Sequence, residues 1–185
     1  MNKEIRLVDG RITLQPYHPD DAECLYEAVR ESIAELSPWM PWCHQGYSIK
    51  ETRQWLDSCR QAWEKGSEYE FAITDSRDGV FLGGAGLNRI DIANRIANLG
   101  YWTRTSRTGN GVATIAARLL VGFAFRELKL NRLEIIIATG NKASQHVAEK
   151  LGATHEGILR NRLIIRDRVH DAVMFSLVPG DLKQT

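Results

Sequence analysis

Apolar residues in this chain recur at two alternating periods, and each change of period marks a change of element. RITLQPYH at 11–18 sets Ile12 and Leu14 two apart, the spacing of a strand with one buried face. Over 18–33 the spacing lengthens. Leu25, Ala28, Val29 and Ile33 share a helical face, and Pro19 with two aspartates suits a first turn. SIKE at 48–51 has the Ser-x-x-Glu arrangement in which two side chains satisfy orphan amides reciprocally, which predicts a second helix over about 49–63. EYEFAIT then returns to the two-residue period, with Tyr69, Phe71 and Ile73 on one side and Glu70 on the other. VFLGGAGLNRI and IANLGYWTR follow at hairpin-like spacing and predict an antiparallel meander; LGGAGL within it reads as a strand closely approached by helices.

From Gly111 the helical period is strongest. Val112, Ile115, Ala116, Leu119, Leu120 and Phe123 fall on one stripe. LEIIIAT is a short strand, NKASQHVAEKLGA a helix ending near Gly152, and ILRNRLII with DAVMFSL a closing strand pair. This order predicts a single mixed-sheet α/β (α+β) domain over 1–185, its core about 11–177, with parallel and antiparallel parts.

Composition narrows the partners. A formal net charge of +1 gives no electrostatic argument for nucleic acid or a membrane surface. Three cysteines without C-x-x-C spacing suggest neither a disulfide framework nor zinc, and their apolar neighbours predict buried thiols. Five histidines show no H-x-x-x-H spacing, so no metal is expected. The N-terminal stretch lacks an apolar signal core, and nowhere do 18 apolar residues run together; a cytoplasmic protein is expected.

The segment RTGNGVAT (107–114) carries the chemistry. A glycine-rich turn feeding a helix presents unpartnered amides at the positive end of the helix dipole, a ready anion site. Arg107 adds a cation. A P-loop would need Gly-Lys-Ser/Thr after the second glycine, where Val112, Ala113 and Thr114 stand. A dinucleotide fingerprint would need glycine or alanine in place of Thr114, and an acid ending the next strand, whereas Glu134 begins it. A plain tight turn remains open on the loop alone.

Taken together, these segments resemble the GNAT superfamily of acetyl-CoA-dependent N-acetyltransferases. Gly111-Val112-Ala113 matches the end of the family's Gln/Arg-x-x-Gly-x-Gly/Ala loop, although Thr108 occupies its first position. Asn141, Ser144 and the Leu-Gly ending of the following helix fit the family pattern. The patch PWMPW, the triplet Gly100-Tyr101-Trp102, HEGILR and Asp171 to Ser176 are most similar to the RimL/RimJ-like branch, which acetylates N-termini of ribosomal proteins. The resemblance implies a mostly antiparallel central sheet splayed between two parallel strands and flanked by about four helices.

It also implies site roles. Coenzyme would meet Gly100, Tyr101 and Trp102 along its pantetheine arm, and Arg107, Thr108, Gly109, Asn110, Gly111, Val112, Ala113 and Thr114 at its diphosphate. Asn141 would bind the pantetheine amide and Ser144 the thiol, because the family's usual tyrosine is replaced by Ala148. Asn141 as a helix cap and Ser144 as an ordinary early-helix residue remain alternatives. Glu134 and Glu70 are the candidate bases, although Glu134 could equally pair with Arg132 or Arg160. Trp39, Trp42 and His44 would wall the acceptor side. The acceptor implied is a protein N-terminal α-amine; a small amine and an inactive acyl-CoA-binding module are the alternatives, and monomer and homodimer stay open. An α-amine, with pKa about 7.7–8.0 against about 10.4 for lysine, is roughly 3.5 kcal/mol easier to deprotonate, which favours the N-terminus mildly.

Overall fold

The two-residue periods of the sequence become strands of one sheet in the computed structural model, which describes residues 5–182. Residues 1–4, part of the stretch searched for a signal core, lie outside that range, as do 183–185. The strands are β1 (Leu7–Val8), β2 (Ile12–Pro16), β3 (Tyr69–Asp75), β4 (Phe81–Asp91), β5 (Ile96–Thr103), β6 (Arg132–Ala138), β7 (Thr154–Ile165) and β8 (Arg168–Leu177). Their spatial order is β1-β2-β3-β4-β5-β6-β8-β7, and every neighbouring pair is antiparallel except β5 with β6. The helices are α1 (Ala22–Glu31), α2 (Ile33–Leu36), α3 (Ile49–Lys65), α4 (Val112–Arg126) and α5 (Lys142–Lys150). Among the described residues, no helix is long and apolar enough to cross a membrane.

Alternation along β3 sorts the core into two layers. Phe71 and Ile73 pack with Leu120 and Phe123 of α4, while Ala72 joins Leu25 and Val29 of α1 and Leu56 of α3. Full burial of side chains such as Leu120 and Phe71 contributes about 1.5–3 kcal/mol each. α3 begins with the expected capping box: Glu51 N–H donates to Ser48 Oγ at 3.4 Å, and Ser48 N–H donates to the Glu51 carboxylate at 2.9 Å. It ends at Gly66, whose φ of 66° lies in the left-handed region.

Several boundaries differ from the periodic reading. The helix expected over 18–33 is a 3-10 turn (Pro19–Asp21) followed by α1, which stops where Ser32 bonds back to the Ala28 carbonyl at 2.7 Å. α2 and β1 are too short to show a period. β7 and β8 start earlier than predicted, because register shifts between His155/Gly157 and Leu159/Leu163 break the two-residue alternation. Cys43 and Cys59 are buried thiols, whereas Cys24 is only half-buried.

β4 does lie against helices, α4 on one face and α1 on the other, and its glycines also make room for neighbouring side chains and backbone. A Cβ on Gly84 would collide with the Tyr17 hydroxyl and stand 2.7 Å from Trp102 Nε1, and one on Gly86 would occupy the space of the Glu70 carboxylate. On Gly83 it would meet the Trp102 carbonyl.

Only three residue pairs hold the parallel strands together: Ile96 with Arg132, Ala97 with Leu133 and Asn98 with Glu134. Past Asn98, β5 stays on β4 and β6 stays on β8, and the two separate. The sheet therefore opens into a V in its middle.

Candidate active site

The V is a cavity of about 310 Å³. Leu99, Gly100 and Tyr101 form one wall, Ile135 to Ala138 the other, and Asn141 and Ser144 of α5 close one side. At one end of β5 lies the glycine loop. Gly109 and Gly111 both have left-handed φ, 78° and 77°, and Gly111 caps α4 without any side-chain bond. Among the described residues, nothing accepts from the amides of 109–114, so the front of α4 carries a run of free donors. The side chains of Thr108 and Asn110 brace the turn itself: Thr108 Oγ1 donates to the Thr105 carbonyl at 2.9 Å, and Asn110 Nδ2 donates to the carbonyls of Arg107 and Thr108. Arg107 lines a recess beside the loop, with Arg11, Arg77 and Asp75 and with Asn110 and Val112 of the loop and helix front. Orphan amides at a helix front, and a slot along the strand that runs toward them, are what a diphosphate with a long amide-bearing arm requires.

Asn141 does cap α5, its Oδ1 accepting from Ser144 N–H at 3.1 Å, and its amide nitrogen makes no bond among the described residues. Ser144 Oγ donates to the Tyr101 hydroxyl at 3.2 Å, and that hydroxyl donates to the Ser144 carbonyl at 3.0 Å. Burial pushes the Tyr101 phenol up to about 12, so it stays protonated. The position where the family's helix carries tyrosine, Ala148, is fully buried. Sequence reasoning assigned a role only to the backbone of Tyr101. Its alternation in GYW already turned the ring toward the face opposite Trp102, which is the face of α5.

On the α1/α3 face lies a larger cavity of about 640 Å³. Met40, Trp42, Asn88, Gly100 and Tyr101 line both cavities, so the two meet at the middle of β5. Glu70 points into the larger one. Burial pushes its carboxyl up to about 7, against a long 3.4 Å hydrogen bond from Asn88 Nδ2, and nearby Glu68 adds to the rise. Asn88 is itself oriented by Asn98, whose Nδ2 donates to its Oδ1 at 3.0 Å. Register explains the reach of Glu70: Glu70, Gly86 and Gly100 lie in one cross-strand row. The two glycines leave a trough in which the carboxylate lies across β4 toward β5.

The other predicted residues divide. Trp42 and His44 line the larger cavity, with Trp42 edge-on to Trp102 at 6.0 Å and His44 Nε2 2.8 Å from Glu51. Trp39 instead covers Gly140 and lines the V. Glu134 lines neither cavity. Arg132 holds it at 3.0 Å while also gripping Glu156 at 2.7 and 2.6 Å.

Residues 11–154 match the family model for an acetyltransferase (GNAT) domain. The chain belongs to the GNAT family. Over 172 residues it is 33% identical to the Bacillus subtilis (strain 168) protein named "Putative ribosomal N-acetyltransferase YdaF", covering 92% of this chain and 93% of that one. It is 24% identical over 154 residues to the ribosomal-protein-serine acetyltransferase of Escherichia coli (strain K12), covering 83% and 85% of the two chains. Among solved structures, Mycobacterium smegmatis RimJ in complex with CoA-disulfide superposes with a TM-score of 0.84 at 26% identity, over 97% of this chain and 88% of that chain. The V-shaped sheet, mostly antiparallel with four main helices, is thus a GNAT sheet, and the protein is an acetyl-CoA-dependent N-acetyltransferase resembling the RimL/RimJ type.

Proposed function

We propose that this GNAT enzyme acetylates the α-amine of a protein N-terminus, with Glu70 as the base and the Ser144–Tyr101 pair receiving the departing thiol. The observation that carries the reading is the cross-strand row Glu70–Gly86–Gly100, which aims a carboxyl of pKa about 7 at the junction of the two cavities.

Each residue then has a task. The free amides of 109–114 hold the diphosphate, and the unpaired edge of β5 at Gly100 to Trp102 offers main-chain groups to the pantetheine arm. Asn141 retains a free amide nitrogen for a carbonyl of that arm while capping α5. When bound, acetyl-CoA supplies the activated acyl group. Trp42, His44 and Trp102 wall the acceptor, and Glu70 takes a proton from its ammonium. Ser144 and the protonated Tyr101 phenol sit across the V to hold the sulfur and return a proton. The match of pKa values favours an N-terminus. Proton transfer to a base at about 7 from an α-ammonium is uphill by about 1 kcal/mol, and from lysine by about 5 kcal/mol. The names of the two sequence relatives point the same way.

The test is thiol release from acetyl-CoA with short peptides bearing free Ser or Ala N-termini, set against a panel of small amines. Release with peptides and none with their N-terminally blocked forms is expected. Release with small amines alone removes the reading.

A further inference from the structure

We infer that Glu68 is a specificity-determining residue, selecting acceptors that carry a second positive charge next to the reacting amine: an N-terminus followed by lysine or arginine. The inference rests on the reading of the larger cavity as the acceptor site.

The lining of that cavity is one-sided in charge. Glu51, Glu68 and Glu70 contribute to it, and no lysine or arginine does. The three carboxylates are not equivalent. Glu51 is committed locally: it accepts from Ser48 N–H at 2.9 Å and Ser48 Oγ at 2.7 Å, and it faces His44 at 2.8 Å. Glu70 lies in its glycine trough, directed at the reacting centre. Glu68 lines the cavity and has no hydrogen bond or ion pair among the described residues, so its carboxylate is open to a partner from the cavity. Its charge reaches the neighbouring Glu70, on the same cavity wall.

Spacing then defines the ligand. Glu68 and Glu70 are two residues apart on chain entering β3, about 6–7 Å if extended, with both side chains toward the same cavity. An acceptor whose ammonium meets Glu70 therefore brings its next side chain near Glu68, since successive Cα atoms are about 3.8 Å apart and a lysine or arginine stem extends further. The intervening surface suits such a stem. Trp42, Tyr47, Trp55 and Trp102 line the same cavity, and their rings can carry a methylene stem and take a cation over a face. A second-residue aspartate or glutamate would instead face a carboxylate at close range.

The experiment compares kcat/KM for Ser-Lys, Ser-Ala and Ser-Glu peptides of otherwise equal sequence, with wild-type enzyme and with Glu68→Gln. The expected order is Lys above Ala above Glu, with roughly tenfold or more between the extremes, shrinking toward unity in E68Q and in high salt. Equal rates for all three peptides, or a preference unchanged in E68Q, overturn the role of Glu68 and leave the N-terminal reading standing. A parallel arm compares butylamine with 1,4-diaminobutane. Should peptides fail and small amines react, the N-terminal reading falls. The charge rule is then decided by whether wild type prefers the diamine and E68Q does not.

Discussion

Replacing Glu70 by glutamine separates what this residue does for catalysis from what it costs the fold. The amide keeps the shape of the side chain and an acceptor for Asn88, and it removes the ionisable group. The carboxyl ordinarily titrates at 4.5 and here is pushed up to about 7 by burial. The native state thus holds this proton more tightly than the unfolded chain does. Between pH 4.5 and 7 unfolding releases it, so stability falls as pH rises through that window and the full penalty persists above it. At about 1.4 kcal/mol per unit, the penalty is about 3 kcal/mol at pH 8 and under about 1 kcal/mol at pH 5. Glutamine has no such term. E70Q is therefore expected to be more stable than wild type at pH 8, with a Tm higher by several degrees for a chain of this size, and nearly equal at pH 5. Thermal unfolding followed by circular dichroism at the two pH values reads this directly. In the same samples, thiol release should fall by about 10²–10⁴, and the step near pH 7 in kcat/KM should vanish, leaving only the titration of the acceptor amine. A Tm difference that does not depend on pH, or a step near pH 7 that survives in E70Q, would refute the assignment.

Further outcomes follow from the same geometry. Gly86→Ala places a methyl where the Glu70 carboxylate lies, so kcat/KM should drop at least tenfold while coenzyme A, titrated calorimetrically, binds as before, because Gly86 lines only the larger cavity. Tyr101→Phe removes the acceptor of the Ser144 hydroxyl and the donor to its carbonyl; kcat should fall by tenfold or more with a stability loss of about 1 kcal/mol, and an unchanged kcat takes the phenol out of the mechanism. At Gly111, φ of 77° is left-handed and a Cβ would meet nothing within 4 Å, so Gly111→Ala costs only conformational strain, about 1–2 kcal/mol. Its predicted signature is weakened coenzyme binding with the KM for acceptor unmoved.

Much of the fold around the glycine loop was legible because its signals are local. A capping box, a helical stripe from Val112 to Phe123 and a glycine turn are each contained within a few residues, and local geometry decides them. The larger cavity was not, because it is assembled across strands. Alternation placed Glu70 opposite Phe71 correctly, yet it could not tell whether that face met a helix, solvent or a cavity. The β4 glycines carried the missing information. Read along the chain they suggest close packing by helices; read across the sheet, Gly86 of β4 with Gly100 of β5 are the two blanks that let one carboxylate lie toward the junction of the two cavities. For Glu134 the structure takes the alternative left open in the sequence, an ion pair with Arg132. It sits at the last parallel pair, where the strands are still joined, and Arg132 was near enough to claim it.

The same cross-strand logic accounts for GYW. One strand whose two edges are paired differently, on β4 along its length and on β6 only as far as Asn98, must serve two cavities at once. Gly100 is blank where they join, Tyr101 turns to α5 and the V, and Trp102 turns over Gly84 to the larger cavity. A one-residue register slip of β5 would exchange these faces, sending the phenol into the acceptor cavity and the indole against α5. Which of these side chains faces which cavity is therefore written in the register of β5 against β4, and Gly84 leaves the room that Trp102 takes in that register.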